Sequence, residues 1–240
     1  MTDLSLLNII SFFLIFFIGL PHGSFDGAIA ALVGFNTKLN FFKFIIYYLV
    51  LFFFVILFWV YFPIISLLIF LLMTIAHFGL CDWSYLKINK HKISISLAYG
   101  MTVIFGIIFF NENQSFKIFE YLTNENIHYF RKYLYLPYII TVIAILNFIF
   151  LTLFNHELRI RVLEIFLLLF IFFIFDPLLS FTIYFCFFHT YKHLSQLINK
   201  IFLHLNNKSF VINSTIAFTI VSWVAGILIV LFVKDKKVIF

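Results

Sequence analysis

Ile183-Tyr184-Phe185-Cys186-Phe187-Phe188-His189-Thr190-Tyr191-Lys192-His193-Leu194 sets two histidines four apart inside an apolar run. A helix puts positions i and i+4 on one face, with Cβ atoms about 6 Å apart. Two imidazoles at that spacing reach one metal ion at nitrogen distances near about 2.1 Å. Titratable groups inside an apolar span are costly and point to function. The pair alone fits equally a pair of histidines hydrogen-bonded between helices, so the positions of the other histidines decide its reading.

Outward from that run the chain stays apolar. Of its 240 residues 64% are hydrophobic and 11% charged, with a mean hydropathy of +1.12. A soluble domain is about half apolar and a quarter charged. The fold class expected is therefore an all-α integral membrane protein, a polytopic bundle of about eight transmembrane helices of roughly 20 residues each. It forms a single transmembrane domain over residues 1–240. The apolar runs are unbroken, which excludes the alternation of a membrane barrel. The net charge of +6 belongs to loop lysines that set orientation and meet anionic lipid. No basic, aromatic-interleaved surface suggests nucleic acid. Cys81 and Cys186 lie in or beside apolar runs, and a disulfide scaffold is excluded.

Leu4 to Leu20 reads as the first span, retained rather than cleaved as a signal peptide. Gly19-Leu20-Pro21-His22-Gly23-Ser24-Phe25-Asp26-Gly27 then breaks or kinks it, and Ala28 to Phe35 is a weaker helical continuation. Phe41 to Phe62 and Ile64 to Leu80 follow, separated by Pro63. The latter ends in Ala76-His77-Phe78-Gly79-Leu80-Cys81-Asp82-Trp83. After the basic loop Lys87 to Lys92 come Ile93 to Phe110, then the polar stretch Asn111 to Lys132, with room for a short interfacial helix. Leu134 to Phe154, Ile160 to Phe175, Pro177 to about Ile198 and Ile212 to Val233 complete the count. Asp176 is placed to cap the seventh span.

Counted as eight, spans one, three and seven cross in one direction. His22 lies at the end of span one. His77 falls about 14 residues into span three, roughly 21 Å along it. His189 and His193 fall about 12 and 16 residues past Pro177, roughly 18 and 24 Å. All four reach one leaflet. His91, His128, His156 and His204 lie in loops or at helix ends and read as ordinary surface. Loop charge, with nine Lys and Arg on the histidine side against six on the other, makes the histidine side cytoplasmic. The expected location is the cell (inner) membrane, multi-pass.

Four imidazoles suit a borderline transition metal, with iron, copper and zinc all admitted. An octahedral Fe(II) so held keeps two open positions. Four neutral ligands leave the charge of the ion in a low-dielectric site. Carboxylates that accept the far imidazole N–H offset it, and Asp26 and Asp82 are the candidates. Lys192 is read as snorkelling to the interface. Tyr184, Phe188 and Tyr191 are weaker candidates for the wall of a substrate tunnel, against a plain role in aromatic packing.

Pro21-His22-Gly23-Ser24-Phe25-Asp26, His77-Phe78-Gly79 with Asp82, and Phe185-Cys186-Phe187-Phe188-His189-Thr190-Tyr191-Lys192-His193, in that order, resemble the Brp/Blh family. These are integral-membrane β-carotene 15,15′-dioxygenases that work with microbial rhodopsins. The resemblance covers nearly the whole chain. It implies Fe(2+) held by His22, His77, His189 and His193, the catalytic residues. It implies cleavage of the central double bond of β-carotene by O2 into two all-trans-retinal, the chromophore of a microbial rhodopsin. The family often has Ser and Arg where this chain has Thr190 and Lys192, and His where this chain has Gly27. These differences lie beside the histidines and bear on substrate preference.

Two other classes fit part of the pattern. A membrane di-iron desaturase or hydroxylase needs about eight clustered histidines, and this chain has one His-x-x-x-His. A non-enzymatic bis-His haem or transport protein predicts a Soret band, or broken helices in corresponding halves.

Overall fold

The computed structural model describes residues 6–84, 91–205 and 207–236, with side chains to Leu228. The basic loop expected at Lys87 to Lys92 lies mostly outside them. Every regular element among the described residues is helical. Among the described residues six helices are long and apolar enough to cross a membrane: Leu6–Leu32, Lys38–Tyr61, Pro63–Asp82, Lys92–Phe110, His128–Leu151 and Lys208–Leu228. The two remaining expected spans are also helical. One, Arg159–Ile174, has 16 residues and is about 24 Å long, short of a hydrocarbon core of about 30 Å. The other, residues 177–204, owes its lower hydropathy to His189, Lys192 and His193. Eight is thus the helical count by sequence, and six pass on length and hydropathy together.

Two compact units divide the chain, Met1–Phe53 with Phe185–Phe240, and Phe54–Tyr184. In the first, α1 (Leu6–Leu14) runs into a π-helical segment, Ile15–Gly19, then a 3₁₀ segment, Leu20–Phe25, then α2 (Asp26–Leu32). Pro21 explains the change of winding, because it has no N–H to give to the preceding turn. The Leu20 N–H bonds the Ile15 carbonyl, an i→i+5 step, so the Phe16 carbonyl would next take the missing N–H of residue 21. The Trp223 indole N–H fills that place at 3.0 Å. Trp223 lies on α11 (Lys208–Lys236). The sequence marked this stretch as a break or kink; the α-winding does stop there, and the chain carries on through π and then 3₁₀ turns before α2.

α11 packs close to that stretch because glycine allows it. A Cβ on Gly27 would stand 3.0 Å from Phe218 and Ser214, and one on Gly226 2.7 Å from Leu20. α10 (Thr190–His204) adds Ile201, which packs with Ala28 and Val211 in a small apolar core. No residue of α3 (Lys38–Tyr61) is buried.

In the second unit α4 (Pro63–Asp82) begins at Pro63, where a missing N–H costs nothing. It packs on α5 (Lys92–Phe110) through glycines on both helices. A Cβ on Gly79 would overlap the Ser96 carbonyl, and one on Gly100 the Ile75 carbonyl. Small residues at such a crossing let membrane helices touch backbone to backbone. The polar stretch contains the expected short helix, α6 (Glu112–Thr123). α7 (Tyr135–Leu151), α8 (Arg159–Ile174) and α9 (Pro177–Ile183) follow. The Asn111 amide bonds the Phe172 and Phe175 carbonyls at the end of α8 at 2.9 and 3.1 Å. Asp176 caps α9 as expected, accepting the Leu179 N–H at 3.0 Å.

Candidate metal centre

In the first unit, three of the four motif histidines meet. A second π segment, Tyr184–His189, ends at His189, and α10 carries His193 one turn further on. The His22 ring centre lies 6.0 Å from that of His189 and 6.3 Å from that of His193, and the latter two are 5.7 Å apart. Two imidazoles on one tetrahedral ion have ring centres about 5 Å apart, so the ring spacing here lies about 1 Å outside that of joint ligation. The His189 and His193 planes are nearly parallel, at 10°. Parallel rings share no in-plane point, and joint ligation therefore requires His193 to turn about its Cβ–Cγ bond.

The backbone holds His22 ready for such a role. Its Nδ1 lies 2.7 Å from the Gly19 carbonyl, which can only accept. Nδ1 therefore carries the proton and Nε2 keeps its lone pair. Phe185 stacks on His189 at 11° and meets the edge of His22 with ring centres 5.0 Å apart. His189 has no exposed surface. Two other polar groups nearby are already engaged: the Cys186 thiol interacts with the Gly19 backbone, and Asp26 accepts the Tyr48 hydroxyl at 3.2 Å. The outer-ligand place expected of Asp26 at His22 Nδ1 is thus filled by a carbonyl.

In the second unit, His77 stands on an exposed face of α4, its Nδ1 3.5 Å from Cys81 Sγ, one turn on. Asp82 is wholly buried and accepts the Tyr184 hydroxyl at 2.8 Å. Tyr184 is itself wholly buried, whereas Phe188 is half-buried and Tyr191 71% exposed. The other four histidines stand at helix ends: His91 precedes α5, His128 and His156 open short 3₁₀ turns, and His204 closes α10.

A family model described as beta-carotene 15,15′-dioxygenase matches residues 13–239, all four motif histidines included. The chain belongs to the β-carotene 15,15′-dioxygenase family. A curated relative in that family, the beta-carotene 15,15′-dioxygenase of the uncultured marine bacterium 66A03, is 31% identical over 227 residues, 94% of this chain and 82% of the relative. No solved structure matches the chain.

Several residues of this β-carotene 15,15′-dioxygenase family member escape the sequence reading. Gly19 sits in a quoted motif, but two of its three contacts, with Phe185 and Cys186, are tertiary. Phe185 is one aromatic among 39 phenylalanines. Cys81 carried a signal, since it lies at i+4 from His77. Glu164 carried a stronger one, as a lone acid inside the apolar run Ile160 to Phe175.

Proposed function

We propose that this chain cleaves the central 15,15′ double bond of β-carotene with O2, giving two all-trans-retinal, at one iron held by His22, His77, His189 and His193. The balance closes: one double bond and one O2 become two aldehydes, with no proton gained or lost. The observation that carries the reading is the trio of imidazoles within 6.3 Å of one another in a chain of this family. A buried imidazole at His189 beside one at His22 bonded to a backbone carbonyl fits a borderline divalent ion. His77 is the proposed fourth ligand, from its motif and its expected depth in the membrane.

Iron, when bound, supplies a redox-active Lewis acid where O2 and the polyene meet. The protein's own share is orientation and exclusion of water. The Gly19 carbonyl fixes the His22 tautomer, and Phe185 braces the His189 ring. The hydrocarbon substrate enters from lipid, and an extended carotene is about as long as the bilayer is thick. Phe188 and Tyr191 are proposed to wall its path. The retinal is proposed to serve a microbial rhodopsin, from the inner membrane with the histidine side cytoplasmic.

The test is iron analysis and product identification on the purified protein supplied with β-carotene. One iron per chain and retinal as sole product are expected. Each of the four His→Ala variants should lose activity by more than about 100-fold, beyond what loss of an outer partner costs. Two irons, a haem Soret band, or full activity in His77→Ala and His193→Ala would overturn the assignment.

A further inference from the structure

A string of polar side chains runs through the apolar interior of the Phe54–Tyr184 unit. The Tyr184 hydroxyl donates to Asp82 Oδ2 at 2.8 Å. The Tyr99 hydroxyl, in hydrogen-bond reach of the Tyr184 hydroxyl, donates its proton to Glu164 Oε1 at 2.7 Å. Glu164 Oε2 lies 3.3 Å from Arg161 Nη1. Asp82, Tyr99 and Tyr184 have no exposed surface. Both tyrosine rings are packed as any phenylalanine would be, Tyr184 against Phe78 at 4.9 Å and Tyr99 against Trp83 at 4.5 Å. The hydroxyls are therefore not needed to fill space. Burying Asp82 wholly and leaving Glu164 with only 10% of its side chain exposed is expensive, and apolar residues of like volume commonly do as well or better for stability. Such a string is better explained by what it holds in place.

What it holds is the start of a π turn. Tyr184 opens the segment that His189 closes, and residues five apart are hydrogen-bond partners in π winding. Asp82, in turn, lies five residues past His77 on α4. We infer that Tyr184 and Asp82 are positioning residues: their hydrogen bond fixes the register of the π segment and so the placement of the His189 imidazole for metal. Tyr99, Glu164 and Arg161 hold Tyr184 from its other side. The inference rests on the four-histidine reading above. It takes Tyr184 out of the tunnel wall and gives Asp82 a tyrosine to hold.

The experiment measures Co(II) binding and its visible spectrum on the detergent-purified chain, alongside kcat, KM and the thermal midpoint. Tyr184→Phe removes one oxygen and leaves the ring in place. It should weaken Co(II) affinity by about 10- to 100-fold, the range for loss of an outer partner, change the spectrum, and lower kcat with KM kept. Asp82→Ala should do the same, and Asp82→Asn, which keeps an acceptor for the tyrosine, should recover most of the loss. Tyr99→Phe should give a smaller loss and reads the same string if Tyr184→Phe does not fold. A Tyr184→Phe protein with a lower thermal midpoint but unchanged Co(II) affinity, spectrum and kcat overturns the positioning role alone. A wild-type chain that binds no Co(II) overturns the four-histidine reading and this inference with it.

Discussion

At the scale of single residues, Gly19 does more for the candidate centre than any side chain near it. Its carbonyl accepts His22 Nδ1, its backbone meets Cys186, and its missing Cβ leaves the notch that Phe185 fills. A Cβ there would stand 2.7 Å from Phe185 Cε1, closer than carbon atoms approach. The ring cannot simply swing aside, because it is stacked on His189 and set against His22. Gly19→Ala should therefore lower retinal formation at least about tenfold while costing only about 1–3 kcal/mol of stability, the usual range for overpacking. Activity and a denaturation curve on the same sample check this; a variant with normal turnover would separate Phe185 from the site. The contrast with the histidines shows what a sequence can carry. The four motif histidines were legible because a titratable group in an apolar span is conspicuous by itself, and Asp176 because a cap needs only its neighbours. Gly19 matters through Phe185, which comes from the far end of the chain, and no local pattern announces that meeting.

At the scale of elements, the first helix shows how the break or kink read from sequence is carried by a change of winding, from α to π to 3₁₀. Gly and Pro between residues 19 and 27 argue for interruption, and the local physics is sound: Pro21 does remove a donor. What sequence periodicity cannot show is a remote donor that replaces it. Trp223 does so, at 3.0 Å from the Phe16 carbonyl, in surroundings where an orphaned carbonyl is costly. Trp223→Phe should therefore destabilise the folded chain by about 1–3 kcal/mol, read by denaturant titration in detergent. Pro21→Ala returns an N–H within one π step of that carbonyl. The double variant should consequently lose about 1 kcal/mol less than the two single losses summed, the coupling expected of groups that share one partner. Strict additivity would mean that the indole is held for its ring packing on Phe16 rather than for its N–H. The same reasoning applies to α4 and α5, whose crossing at Gly79 and Gly100 was within reach of a small-residue rule but not of hydropathy, since glycine is neutral on that scale.

At the scale of the whole molecule, the question is how many helices cross, and the four-histidine reading depends on the answer. Six pass by length and hydropathy; α8 and residues 177–204 fall short for different reasons. α8 is short and carries Arg159, Arg161 and Glu164 in its first two turns; a tilted neighbour or a thinned bilayer accommodates a few missing ångströms at modest cost. Residues 177–204 are long enough but carry His189, Lys192 and His193, so their low hydropathy is the price of the site itself. If both cross, the turn between them at Phe175 and Asp176 faces the side opposite Asn155 and Asn207. If neither crosses, all three positions share one side, and His189 and His193 then lie outside any span that could bring them to the depth of His77. Single cysteines at residues 155 and 175, in a chain with Cys81 and Cys186 replaced by Ser, tell these apart with a membrane-impermeant maleimide on intact cells. Eight crossings, with the histidine side cytoplasmic, predict labelling of Phe175→Cys from outside and of Asn155→Cys only after permeabilisation. Equal labelling of both would remove the crossing that carries the histidine pair, and one shared iron could not be assembled from these motifs.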